Sequence, residues 1–250
     1  MRVFRIIIIT VTIAFIFISC SGKENVRPEV FVPEKEYTRA VGQIEDKEYE
    51  EARKTLIEVK NRDLTKKYAP LAQLKIADSY IREEEPELAI AEYQKFIDTY
   101  PDHQYAVYAQ YQTAMAYFNQ IEGPERGYSG AAKALVEFEK LKQGYPRNPY
   151  RETIDIRIQQ CRDTIAAYEF LVGEFYFKKG SYRAAADRLQ YLMLNYPDYG
   201  KEADALYYLG ISFKRLGQEE NAVKYFKRLI EKYPGSGLTR NARKEFAGLN

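Results

Sequence analysis

The dipeptide Tyr-Pro recurs four times, at Tyr100-Pro101, Tyr145-Pro146, Tyr196-Pro197 and Tyr233-Pro234. Each copy closes a run with apolar residues at helical spacing, as in Phe96-Ile97-Asp98-Thr99-Tyr100 and Leu229-Ile230-Glu231-Lys232-Tyr233. Proline pushes the residue before it out of the α region, so each copy predicts a helix end. A stop signal that keeps returning divides the chain into similar units, each too small to bury a core alone. A second regularity supports this: Tyr68–Tyr80 and Tyr105–Tyr117 align at an offset of 37, sharing Tyr, Ala, Ala, Gln, Ala and Tyr. No stretch alternates apolar and polar residues long enough to predict a strand.

The residue types inside each unit are those of two antiparallel helices in close contact. Small residues (Ala77, Ala89, Gly210, Ala222) let the helices approach, and large ones (Tyr80, Tyr93, Phe213, Phe226) fill the space beside them. Leu206, Leu209, Gly210, Phe213, Ala222, Phe226 and Pro234 follow the tetratricopeptide pattern nearly residue for residue. Gln73, Ile76, Ala77, Tyr80, Ala89, Tyr93 and Pro101 repeat it in the second unit. The third unit carries an insertion, Glu122–Gly127, before Ala134, Phe138 and Leu141. In the fourth, the first helix starts near Tyr150 and is unusually long; a Gly180-Ser181 turn, with Ser181 as N-cap, leads to Ala185, Leu189 and Leu192. The first unit is the loosest, with Ala40, Tyr49, Ala52 and Leu56 but no closing Tyr-Pro. The predicted fold is an all-α tetratricopeptide superhelix over 35–250, with a concave face. It has about five helix pairs (N-terminal repeats 35–146, C-terminal repeats 147–250) and a capping helix over 238–247.

The first residues belong to a different class. Arg2 and Arg5 precede the apolar run Ile6–Ile18, which is too short for the ~20 residues of a membrane span but suits a signal-peptide core. Phe17-Ile18-Ser19-Cys20 then resembles a bacterial lipobox, with Phe17 where leucine is usual. The expectation is a signal peptide over 1–19, a lipidated Cys20, and a tether over 20–34 without sustained periodicity. Ser21 after the cysteine resembles lipoproteins sent to the outer membrane. Removing Arg2 and Arg5 from 38 basic residues leaves 36 against 36 acidic, a net charge of zero. That balance argues against a nucleic-acid partner. One histidine and two cysteines argue against a metal site or a disulfide framework. Cys161, on a helical pattern, reads as a small buried hydrophobe.

No phosphate loop, dinucleotide fingerprint or nucleophile elbow is present. His103 lies in an inter-repeat turn and reads as a solvated loop residue. The expectation is a non-enzymatic protein without a cofactor. Binding is what remains. Gln110, Thr113, Ala114 and Tyr117 form one face of their helix, while Tyr108, Tyr111, Met115 and Phe118 form a second apolar stripe. The preceding repeat offers Leu71, Leu74 and Ile81 on the matching stripe, interrupted by Asp78. Inter-repeat packing and a peptide groove are both open readings of this stripe. The expected groove comprises Leu74, Tyr108, Tyr111, Met115 and Phe118.

The fourth repeat is the most distinctive. Glu169–Tyr176, then Lys179-Gly180-Ser181-Tyr182-Arg183-Ala184-Ala185-Ala186-Asp187-Arg188-Leu189 and Asn195-Tyr196-Pro197-Asp198, resemble the BamD family, tetratricopeptide lipoproteins of the outer-membrane β-barrel assembly machinery. The lipobox, the repeat number, the long fourth repeat and the third-repeat insertion agree with that resemblance. It implies a periplasmic, lipid-anchored scaffold on the outer membrane. The C-terminal repeats would hold the periplasmic domain of the barrel insertase, alongside other assembly lipoproteins, and the N-terminal repeats would meet unfolded barrel precursors. It also implies that Arg188 contacts the insertase. The segment Asn61–Tyr68 departs from the family, which has a Tyr-Pro turn there. An envelope adaptor for polysaccharide export or cell-wall coordination shares every feature except the 169–198 signature.

Overall fold

The computed structural model describes residues 30–248. The expected signal peptide, Cys20 and most of the expected tether lie outside the described residues. Among the described residues, eleven α-helices follow one another, each contacting the next, in antiparallel pairs. The pairs are α1 (Pro33–Glu45) with α2 (Tyr49–Arg62), α3 (Ala69–Arg82) with α4 (Pro86–Thr99), and α5 (Ala106–Asn119) with α6 (Ser129–Gly144). Then come α7 (Arg151–Lys178) with α8 (Tyr182–Asn195), and α9 (Glu202–Arg215) with α10 (Glu219–Lys232). A final helix, α11 (Gly237–Ala247), covers the end. The five pairs and the cap agree with the repeat pattern read from the sequence.

The Tyr-Pro signal has a fixed geometry. Tyr100, Tyr145, Tyr196 and Tyr233 have φ between −128° and −135° and ψ between 55° and 69°. Each donates its amide to the carbonyl four residues back, on Phe96, Leu141, Leu192 or Leu229, at 2.8–3.0 Å. The first repeat ends instead at Asp63, whose amide donates to Val59 at 3.0 Å. Its buried carboxylate then organises the turn. Oδ1 accepts from the Thr65 amide and hydroxyl, and Oδ2 from the amides of Tyr68 and Ala69 that open α3. Proline in the first turn preorganises the starts of α1, α3 and α4. Ser181 stands at the N-cap of α8, yet its hydroxyl makes no capping bond.

Seams close where glycine meets a large ring or branched chain. A Cβ on Gly210 would come within 2.4 Å of the Phe226 ring, and one on Gly173 within 2.8 Å of Leu189. The longest helix, α7, serves two repeats. Its first half buries Ile154 and Cys161 with Phe138 and Leu141 of α6, and its second half buries Phe170 near Leu189 of α8. Cys161 is fully buried, and that burial pushes its thiol up to about 11, consistent with an inert packing role. The third-repeat insertion forms one short 3₁₀ turn, Pro124–Arg126, set between Gly123 and Gly127 and lying against α7.

Candidate binding site in the N-terminal repeats

Helices α1, α3 and α5 are the first helices of three successive repeats. Between them lies a cavity of about 380 Å³, lined by Tyr37, Leu71, Leu74, Lys75, Asp78, Tyr105 and Tyr108. A second space of about 220 Å³, reaching Val41, Ile44, Arg82 and Gln112, shares Lys75, Asp78 and Tyr108 with it. Asp78 stands between the two. It accepts hydrogen bonds from the hydroxyls of Tyr93 at 2.7 Å and Tyr108 at 2.9 Å, and from Lys75 Nζ at 2.8 Å. Burial, reinforced by the charge of Asp78, pushes both hydroxyls above the usual phenol range, so both remain donors. Burial works against the charge on Lys75, but its hydrogen bond to Asp78 and that carboxylate's charge prevail and raise its pKa. The cavity thus has leucines, tyrosine walls and one held cation. Such a surface suits an extended segment carrying aromatic side chains, with tyrosine supplying rigid contact area.

The predicted stripe divides. Leu74 and Tyr108 pack together and line the cavity. Tyr111, Met115 and Phe118 turn instead toward α6 and α7. Tyr111 stacks on Tyr150 with ring centroids 4.1 Å apart and planes at 10°. Phe118 meets Phe138 edge-on at 6.1 Å and lies beneath the Arg157 guanidinium at 4.6 Å. These three side chains, each half-buried, join the third repeat to the fourth and do not line the cavity. Asp78, which reads as an interruption of the stripe, is the polar centre of the cavity. Tyr37, Lys75 and Tyr105 were missed. Lys75 and Asp78, three apart on one helix, were the legible signal, whereas Tyr37 sits in the loosest repeat.

Arg188, which the resemblance implies as an insertase contact, is exposed on α8. In the structure its Nη1 donates to both oxygens of Glu169 on α7, at 3.1 and 3.3 Å. The Glu169 side chain is 2% exposed and that of Arg188 45% exposed, so the arginine covers a buried carboxylate while keeping one side in water. His103 is half-buried among the rings of Phe96, Tyr100 and Tyr105, and its Nδ1 accepts from the Tyr105 amide at 3.2 Å. It is a turn-packing residue. Among the described residues no cluster of potential metal ligands occurs, and no helix is long and apolar enough to cross a membrane.

The family model described as "Outer membrane lipoprotein" (YfiO) matches residues 32–225, well over half of the chain. The chain belongs to the YfiO family of outer membrane lipoproteins. The match runs from the start of α1 into α10, so it takes in both the cavity and the Arg188–Glu169 pair. Among curated relatives, the outer membrane protein assembly factor BamD of Neisseria meningitidis serogroup A is 25% identical over 205 residues, covering 76% of this chain and 77% of its own. BamD of Vibrio cholerae is 25% identical over 189 residues, covering 72% and 78%. Among solved structures, the TPR2AB domain of yeast Sti1 in complex with pHSP90 is 14% identical, with a TM-score of 0.47, over 87% of this chain and 82% of that one.

Proposed function

We infer that this YfiO-family lipoprotein is a non-enzymatic assembly factor for outer membrane proteins. The observation that carries this reading is the family match over residues 32–225, together with relatives named as BamD that align over about three quarters of both chains. Within that role, the N-terminal cavity takes extended, aromatic-bearing segments of unfolded barrel precursors. The C-terminal repeats, through the outward side of Arg188, hold the periplasmic domain of the barrel insertase. Lipidation at Cys20 keeps the array on the membrane.

Co-purification tests the assignment: full-length protein extracted from envelope membranes should bring down a barrel insertase, and its absence overturns the reading. The cavity is tested with Leu71→Ala/Tyr105→Ala, which trims two lining residues that are not core. Affinity for an unfolded barrel-strand peptide should fall about ten-fold or more, the loss of one or two good contacts, with little change in the melt. Unchanged affinity removes the cavity from client binding. The insertase contact is tested with Glu169→Gln/Arg188→Gln, which removes the outward cation without stranding a buried carboxylate. Undiminished co-purification rules Arg188 out.

A further inference from the structure

The segment Asp63–Tyr68, which replaces a Tyr-Pro turn, is built differently from the other repeat ends. Its buried aspartate binds Thr65 in mid-loop and Tyr68 and Ala69 at the exit, so the loop is held at both ends. What this framework displays is Leu64, 94% exposed, the most exposed large hydrophobic among the described residues. Lys66, at φ 56°, and Lys67 follow it, both exposed. Among the described residues neither forms an ion pair; Lys67 Nζ lies 4.9 Å over the Tyr68 ring.

The beginning of the described chain comes to the same corner. The Arg62 guanidinium lies 3.9 Å over the Phe31 ring, which brings exposed Val30 and Val32 beside the loop. The acidic groups here are Glu58, engaged by Arg62, the buried Asp63 and Glu34; the pKa of Lys67 is raised first by its hydrogen bond with Tyr68 and then by the charges of Glu34 and Asp63. A single exposed leucine on a soluble protein is ordinary. A leucine held out on a hydrogen-bonded loop, with two valines and two exposed lysines outside any ion pair around it, is the composition of a bilayer-surface contact. Position agrees with composition. Val30 lies ten positions after Cys20, a reach of at most ~36 Å. The first repeat is the part of the array joined directly to that tether.

We propose that this corner, Val30, Val32, Leu64, Lys66 and Lys67, docks on the phospholipid surface to which the protein is anchored. Leu64 and the valines enter the boundary between headgroups and acyl chains, and the lysines meet anionic phosphates. The proposal rests on the reading of Cys20 as the lipid anchor. A tether alone leaves the array free to tumble, whereas docking fixes its direction from the membrane, and tethering makes even a weak contact effective.

The chain contains no tryptophan, so Leu64→Trp provides a sole reporter. Leu194→Trp on α8, at a site 81% exposed, is the control. The full lipidated protein is placed in vesicles of phosphatidylethanolamine and phosphatidylglycerol with brominated acyl chains. Quenching of the Leu64→Trp reporter should exceed that of the control several-fold, and Lys66→Glu/Lys67→Glu should bring it to the control level with the melt unchanged. Equal quenching of the two reporters overturns the proposal. So does a Leu64→Trp reporter shielded from aqueous quencher only when assembly partners are added, which would make the loop a protein contact. If the wild-type protein fails to float with vesicles, the anchor reading fails separately. The same comparison is then made with the mature chain fixed to maleimide lipid through Cys20, and the same two outcomes decide it.

Discussion

Removing the Asp63 carboxylate tests how the first repeat ends without a Tyr-Pro turn. Asp63→Ala deletes four accepted hydrogen bonds, two of them from amides opening α3. A loss of about 2–3 kcal/mol in urea denaturation is expected, the range for charged acceptors and caps. Burial works to raise the Asp63 pKa, but bonds from Thr65, Tyr68 and Ala69 together hold it below the usual carboxylate value. Its contribution is therefore complete above about pH 4, the unfolded value, and is lost as pH falls through the lower folded value. Acid destabilisation of Asp63→Ala should be correspondingly shallower than that of wild type. Arg188 gives a second test. Arg188→Ala strands Glu169, costing about 1–3 kcal/mol, less than a fully buried pair because water reaches the arginine side. Adding Glu169→Gln should restore part of that loss in a double-mutant cycle. Sequence reading found Arg188 but not its partner, because the two lie on different helices, 19 residues apart. It registered Asp63 only as a departure from the repeat, since nothing local shows that one carboxylate can close a turn and open a helix.

The close approach of paired helices is legible in the sequence, because small-residue spacing reports it directly. Gly210 and Gly173 occupy the same seam position in their repeats, yet they should respond differently to alanine. At Gly210 the new methyl meets three atoms of the rigid Phe226 ring at 2.4–2.8 Å, whereas at Gly173 it meets Cδ2 and Cγ of the buried, more pliable Leu189 side chain, both at 2.8 Å. Gly210→Ala should cost about 1–3 kcal/mol from overpacking. Gly173→Ala should cost distinctly less, helped by alanine's better helix propensity. Thermal melts of the two variants make the comparison. The Tyr111 stripe shows the limit of periodicity, which places residues on a face but does not say what covers it. The cover is Tyr150 at the N-cap of α7, Arg157 in its first half and Phe138 of α6. Tyr111→Ala/Phe118→Ala should therefore destabilise the fold by about 3 kcal/mol or more.

Across the whole molecule, contacts run mainly between helices adjacent in sequence, so the array behaves as a line of coupled units. The first half of α7 packs on the third repeat and its second half on the later ones, so its midpoint is the place to separate the two ends. Asp163→Pro should break the helix there, at about 3 kcal/mol or more, and split urea denaturation into two transitions. The repeat number and the long first helix of the fourth repeat are visible in the sequence, whereas the cavity is not, because it joins side chains from three repeats. The 28 residues of α7, at ~1.5 Å each, form a rod of roughly 42 Å. Hydrogen-bonded along its length and gripped at both ends, this rod resists bending where an ordinary loop would yield. A turn of the C-terminal repeats is thus carried by this rod, as by a lever, to the third repeat, on which its first half rests.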